Sequence, residues 1–160
     1  MRVPRRLTMI PTLTGKPTKE DYQRQRVYGM EKCILGWSVG TTTDLDVICA
    51  VRDHACREWR CDPPPLAKET RNRVYGSATD EEIRLNPDFD GQNMSVFLHE
   101  LAHWISDKRC PDTEGCHHGP KFVGVYRYLL DRYNMLPRYA FDAMARRWEV
   151  NCQYVTPESV

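Results

Sequence analysis

The sequence predicts an α+β domain. Apolar residues recur at helical spacing both before and after a short segment that alternates instead. That segment is bounded by Pro63-Pro64-Pro65 on one side and Asn86-Pro87 on the other. The chain has 160 residues, 41% apolar and 28% charged, so it can bury one core in the ordinary globular manner.

Taken in order, residues 1–18 hold Pro4, Pro11, Gly15 and Pro17 without amphipathic period and read as an N-terminal arm. Arg2, Arg5 and Arg6 read as a solvated end. Thr18, with Asp21 in an approximate capping box, opens a helix from Lys19 to about Leu35, ended by Gly36. Thr43 is the N-cap candidate of a second helix, Asp44 to about Trp59, whose buried face is Leu45, Ile48, Val51, Ala55 and Trp59. The proline run stops it. Arg73-Val74-Tyr75 and Glu82-Ile83-Arg84-Leu85 are the expected strands, with Gly76 to Asp80 as the turn.

A third helix runs from Asn93 to about Ser106 with Met94, Phe97, Leu98, Leu101 and Ile105 inward. A polar loop, Asp107 to His118, leads to a helix opened by Pro120 and reaching about Tyr133. Its apolar set is Phe122, Val123, Tyr126, Leu129 and Leu130. A last helix covers about Arg138 to Trp148. The domain therefore spans 19–150, and 151–160 reads as a C-terminal tail.

Composition excludes several classes. No apolar run approaches the ~20 residues of a bilayer span, and Pro4 argues against a secretory signal, so no membrane partner and a cytoplasmic location are expected, in the host if the chain is phage-encoded. A net charge of +1 gives no support to nucleic acid as a partner. Seven cysteines, an odd number without a C-x-x-C pair, fit neither a disulfide scaffold nor a zinc ribbon. Cys49 and Cys56 read as small core residues. Cys110 and Cys116 read as free thiols, with a redox-dependent bridge as the alternative. His54 reads as a surface or satisfied histidine.

The chemistry resides in His99-Glu100-Leu101-Ala102-His103. Residues four apart on a helix share a face, about 6 Å apart along the axis, so two imidazoles can reach one metal ion. Glu100 then stands where its carboxylate reaches a water activated by the metal, and serves as general base. Leu98, Leu101, Ala102 and Trp104 can shield the site. A catalytic Zn2+ needs a third protein ligand and one open position. Ser106 and Arg109 exclude the extended three-histidine pattern on the same helix. His118, just before Gly119-Pro120, is the strongest candidate; His117 is its rival. Cys116, Glu114, Asp107 and Asp112 are weaker ones. Asp107 could orient His103, and Tyr126, Tyr128, His117 or Lys121 could stabilise a developing oxyanion.

Leu98-His99-Glu100-Leu101-Ala102-His103-Trp104, followed by His118-Gly119-Pro120-Lys121-Phe122, resembles the H-E-x-x-H … H-G-x-x-F pattern of SprT-like zinc metallopeptidase domains, and among them small metallohydrolases of actinobacteria and their phages. Gln23-Arg24-Gln25-Arg26-Val27-Tyr28 adds to the likeness. The resemblance implies a zincin-like core with a small sheet beside the motif helix. It implies His99, His103 and His118 as zinc ligands, Glu100 as base and a protein or peptide substrate. It also implies that the last strand, Ile83 to Asn86, pairs with an extended peptide. The other expectations are a hydrolase of a different amide or ester, a non-catalytic zinc-stabilised interaction module, and a protease acting on DNA-attached proteins.

Overall fold

Asp44 ends an extended segment, and its side chain accepts the amide of Asp46 at 2.8 Å, which caps helix α2, Leu45–Glu58. The expected cap, Thr43, is engaged elsewhere: its backbone exchanges hydrogen bonds with Gln92. The buried face of α2 is largely the expected one, with Val51 partly buried against the core. Ile48, Ala55, Cys56 and the adjoining Trp59 are buried, whereas Leu45 is exposed. Arg60, at φ 53°, breaks the helical path before the prolines do.

The computed structural model describes residues 21–34, 42–89, 92–113 and 116–160. The expected arm, Thr18, Leu35, Gly36 and Glu114 lie outside them. Among the described residues there are five α-helices and one three-stranded sheet, an α+β architecture. Helix α1 is Arg24–Ile34, after a turn at 21–23. It begins later than its periodicity suggests because Asp21 and Gln23 are drawn into bonds with residues far along the chain.

The strands are β1 (Leu66–Lys68), β2 (Gly76–Ala78) and β3 (Ile83–Leu85). Their order is β1-β3-β2, with β1 parallel and β2 antiparallel to β3. The strand expected at 73–75 is instead a bend. Asn86 donates its side-chain amide to the carbonyls of Arg71 and Val74, and Arg73 adopts φ 62°. The strand itself covers the supposed turn residues Gly76–Ala78, and Tyr75 contributes only its carbonyl, to the Asn86 amide. Strand β3 is central, so its two edges are already used and it cannot accept an added peptide strand.

The order leaves outer edges on β1 and β2, and the edge along the cavity of the candidate site belongs to β2. Asn86 donates to the Tyr75 carbonyl and Thr79 donates to the Glu82 carbonyl, so odd-numbered residues occupy the bonded positions. Gly76 and Ala78 therefore turn their backbone groups outward, because the antiparallel ladder alternates.

Helix α3, Met94–Arg109, is capped by Asn93, whose Oδ1 accepts the amide of Val96 at 2.9 Å. From Ser95 to Ser106 every residue but His103 is buried, so this helix is the centre of the core. It packs on α4 (Pro120–Arg132), β2, β3 and α2. Phe97, Leu98, Leu101 and Ile105 are fully enclosed, each contributing roughly 1.5–3 kcal/mol of apolar burial.

Helix α4 lacks a capping side chain at Gly119, but Asp112 reaches across the loop and accepts the amides of Lys121 and Phe122. A Cβ on Gly119 would collide with that carboxylate. Asp112 thus has a structural task rather than a metal-binding one. Helix α5, Arg138–Arg147, buries Phe141 and Ala145 and packs on α1 and α4. Residues 151–155 carry no helix or strand, yet they pack on α4: Gln153 donates to the Pro120 carbonyl, and Val155 is buried. No helix among the described residues is long and apolar enough to cross a membrane.

Candidate metal centre

The i, i+4 spacing on α3 brings His99 and His103 together, with their Nε2 atoms 3.1 Å apart. The loop before α4 returns His118 to the same point, its ring centroid 5.5 Å from that of His99 and 4.7 Å from that of His103. One ligand atom from each of the three lies within 4.8 Å of the others. Such a set can hold a metal ion. His117, the rival, is exposed and borders the adjoining cavity, outside the three-imidazole group.

The backs of two rings are fixed by carboxylates. Glu31 accepts from His99 Nδ1 at 2.5 Å, and Asp21 accepts from His118 Nδ1 at 2.9 Å and from the His118 backbone amide at 2.9 Å. These bonds direct both Nε2 atoms inward, an arrangement that orients metal-binding imidazoles. His118 Nε2 is buried with no hydrogen-bond partner, an orphan that a cation would satisfy. Phe122 stacks on His103 at 4.2 Å and keeps water off one flank.

Burial, aided by the charge of the neighbouring histidines, holds His103 well below its ordinary pKa. Burial also lowers His118, against the opposing pull of Asp21. Both therefore present neutral rings with a free lone pair at neutral pH. Burial alone would lower His99 as well, but the charge and hydrogen bond of Glu31 outweigh it and raise its basicity. Glu100 is buried at the adjacent position and receives the amide of Ala78. Burial, with repulsion from Glu31 and Glu69, pushes its carboxyl up to about 7 despite the attraction of His99.

A cavity of about 370 Å³ opens in front of the histidines and Glu100, with β2 along one side. Tyr28 lines it and stacks on His99 at 5.7 Å; burial and nearby acids keep its phenol protonated, hence a donor. Tyr126 sits behind His99 instead, buried beside Glu31, and belongs to the core. Asp107 borders the cavity. The seven cysteines are free thiols, including Cys110 and Cys116. His54 bonds to the Tyr133 hydroxyl at 2.9 Å, far from the ligands in sequence and on another helix.

Asp21, Glu31 and Tyr28 were not anticipated in these roles. One signal could have found them. Asp21, Arg24, Tyr28 and Glu31 are spaced three, four and three apart, so they form a polar stripe running beside the apolar Val27 and Met30.

No protein-family model matches the chain, and searches of curated proteins and of solved structures find no significant match.

Proposed function

We propose that this protein is a zinc-dependent metallopeptidase of zincin-like, SprT-like type. The observation that carries the reading is the convergence of His99, His103 and His118 on one point, with Glu100 beside it at the floor of an open cavity. All-imidazole donors suit zinc, and three of them leave a coordination position free for chemistry. No cysteine joins the group among the described residues, which disfavours a closed structural site.

His99, His103 and His118 would hold the zinc ion, which would supply Lewis acidity towards a water and a substrate carbonyl. Glu100 takes the proton of the attacking water and later delivers it to the leaving amine. Glu31 and Asp21 hold the ligand rings in one orientation and offset positive charge. Tyr28 offers a protonated hydroxyl towards the reacting carbonyl oxygen. The outward backbone groups of Gly76 and the outward carbonyl of Ala78 can align an extended peptide as an added strand, the role expected of 83–86. Ala78 already gives its amide to Glu100, so the edge and the base are tied together.

The test is metal content and cleavage measured side by side. About one zinc per chain and hydrolysis of an unfolded protein such as casein are expected of the wild type. Loss of hydrolysis with zinc retained is expected of Glu100→Gln. A wild type that takes up no zinc on reconstitution would overturn the reading.

A further inference from the structure

The cavity carries two arginines that the hydrolytic chemistry does not use. Arg24, the first residue of α1, lines it with its guanidinium over the Tyr28 ring, 5.7 Å from the centroid. Its Nε is buried with no hydrogen-bond partner. Arg73 lines the cavity from the bend before β2, on a left-handed backbone at φ 62° that a glycine would adopt without strain.

Among the described residues neither arginine enters an ion pair, whereas neighbouring Arg71 is held by Glu69 at 2.6 Å. Two of the acids facing the same space are engaged: Asp21 by His118, and Glu100 by Ala78. The third, Asp107, lies beside His117 and Lys108. A desolvated donor on one element and a strained arginine on another therefore face the same cavity as the open strand edge. A carboxylate would satisfy both through charge-assisted bonds.

We propose that the cavity selects peptides carrying a carboxylate close to the bond presented to the three histidines, with Arg24 and Arg73 reading it. This rests on the peptidase reading and adds the substrate class. The carboxylate is either an acidic side chain or the peptide's own C-terminus.

The test uses zinc-reconstituted protein and one fluorescent peptide sequence in three forms: Glu with an amidated end, Gln with a free end, and Gln with an amidated end. Binding is read by anisotropy and cleavage by mass spectrometry. One acidic form should bind about tenfold tighter or more than the neutral form, and which one names the source of the carboxylate. The preference should collapse in Arg24→Gln with Arg73→Gln, recover in part with lysines, and persist in the remote Arg147→Gln. Arg73→Gln alone, in an exposed bend, keeps the test sound if the double variant does not fold.

Equal binding of the three forms, no binding of any form, or a preference that survives the double variant overturns the proposal. So does replacement of peptide binding by oligonucleotide binding at the same arginines. Acid-selective binding without cleavage overturns the peptidase reading alone, and cleavage without selectivity overturns this proposal alone.

Discussion

Glu31 and His99 are 68 positions apart in the chain, yet the carboxylate accepts the ring Nδ1 of the histidine at 2.5 Å inside the core. The bond fixes which nitrogen of His99 faces the other two imidazoles. Removing the charge while keeping the shape, Glu31→Gln, should weaken zinc binding by about 10–100-fold. Competition with a fluorescent chelator measures it. Unchanged affinity would show that ring orientation is set by packing alone.

The third ligand separates cleanly from its neighbour. His118→Ala should lose bound zinc, whereas His117→Ala should keep about one ion per chain, because His117 is exposed and outside the group. Elemental analysis after dialysis decides between them. The reverse pattern would move the third ligand by one residue.

Acid should loosen the sheet. Buried Glu69 accepts bonds from Arg71 and Ser77, and the Arg71 guanidinium, against the cost of burial, holds its carboxyl down at about 2. A group depressed on folding stabilises above its ordinary pKa, near 4.5, and that contribution fades as pH falls from there towards 2. Arg71 is largely solvated, so after screening the loss is on the order of 1–2 kcal/mol. Urea midpoints at pH 5 and pH 3 should fall less in Glu69→Gln than in the wild type. Identical slopes in the two proteins would refute it.

Asp112 caps α4 from outside the helix, through the space that Gly119 leaves open. Asp112→Ala should cost about 1 kcal/mol of stability. Gly119→Ala should cost about as much, because the new methyl displaces the carboxylate and with it both amide bonds. Thermal melts measure the first effect. Zinc affinity should stay near wild type in both, since His118 is held by Asp21 and Gln23 rather than by Asp112.

The legible part of the site was the local part. His99, Glu100 and His103 follow from helical spacing within five residues, and α3 shows the expected inward set of Phe97, Leu98, Leu101 and Ile105. Placing His118 above His117 leaned on family resemblance, since spacing alone favours neither. The partners Glu31 and Asp21 were hidden because pairings 68 and 97 positions apart leave no local trace.

Strand β2 was missed for a different reason. Gly-Ser-Ala has little strand propensity, and its place is set by packing: a Cβ on Gly76 would lie about 3.0 Å from Val96, 3.1 Å from the Arg84 carbonyl and 3.2 Å from Glu100. Small residues are needed where the edge presses on α3, so tertiary packing overrode propensity. The alternation in 82–85 survived because Ile83 and Leu85 both point into the core.

Gln23 ties three distant parts of the chain at once. Its side-chain amide donates to the carbonyls of His118 and Asn151, and its carbonyl oxygen accepts the Asn151 amide, 95 and 128 positions away. Ring closures of that length are entropically slow to form and raise the contact order of the region around the third imidazole. On the ribosome, residue 23 must wait for residue 151 before this knot closes. The surroundings of the His118 imidazole are therefore completed only once residue 151 has been placed, which ties the geometry of the candidate cation site to the longest-range closures of the fold.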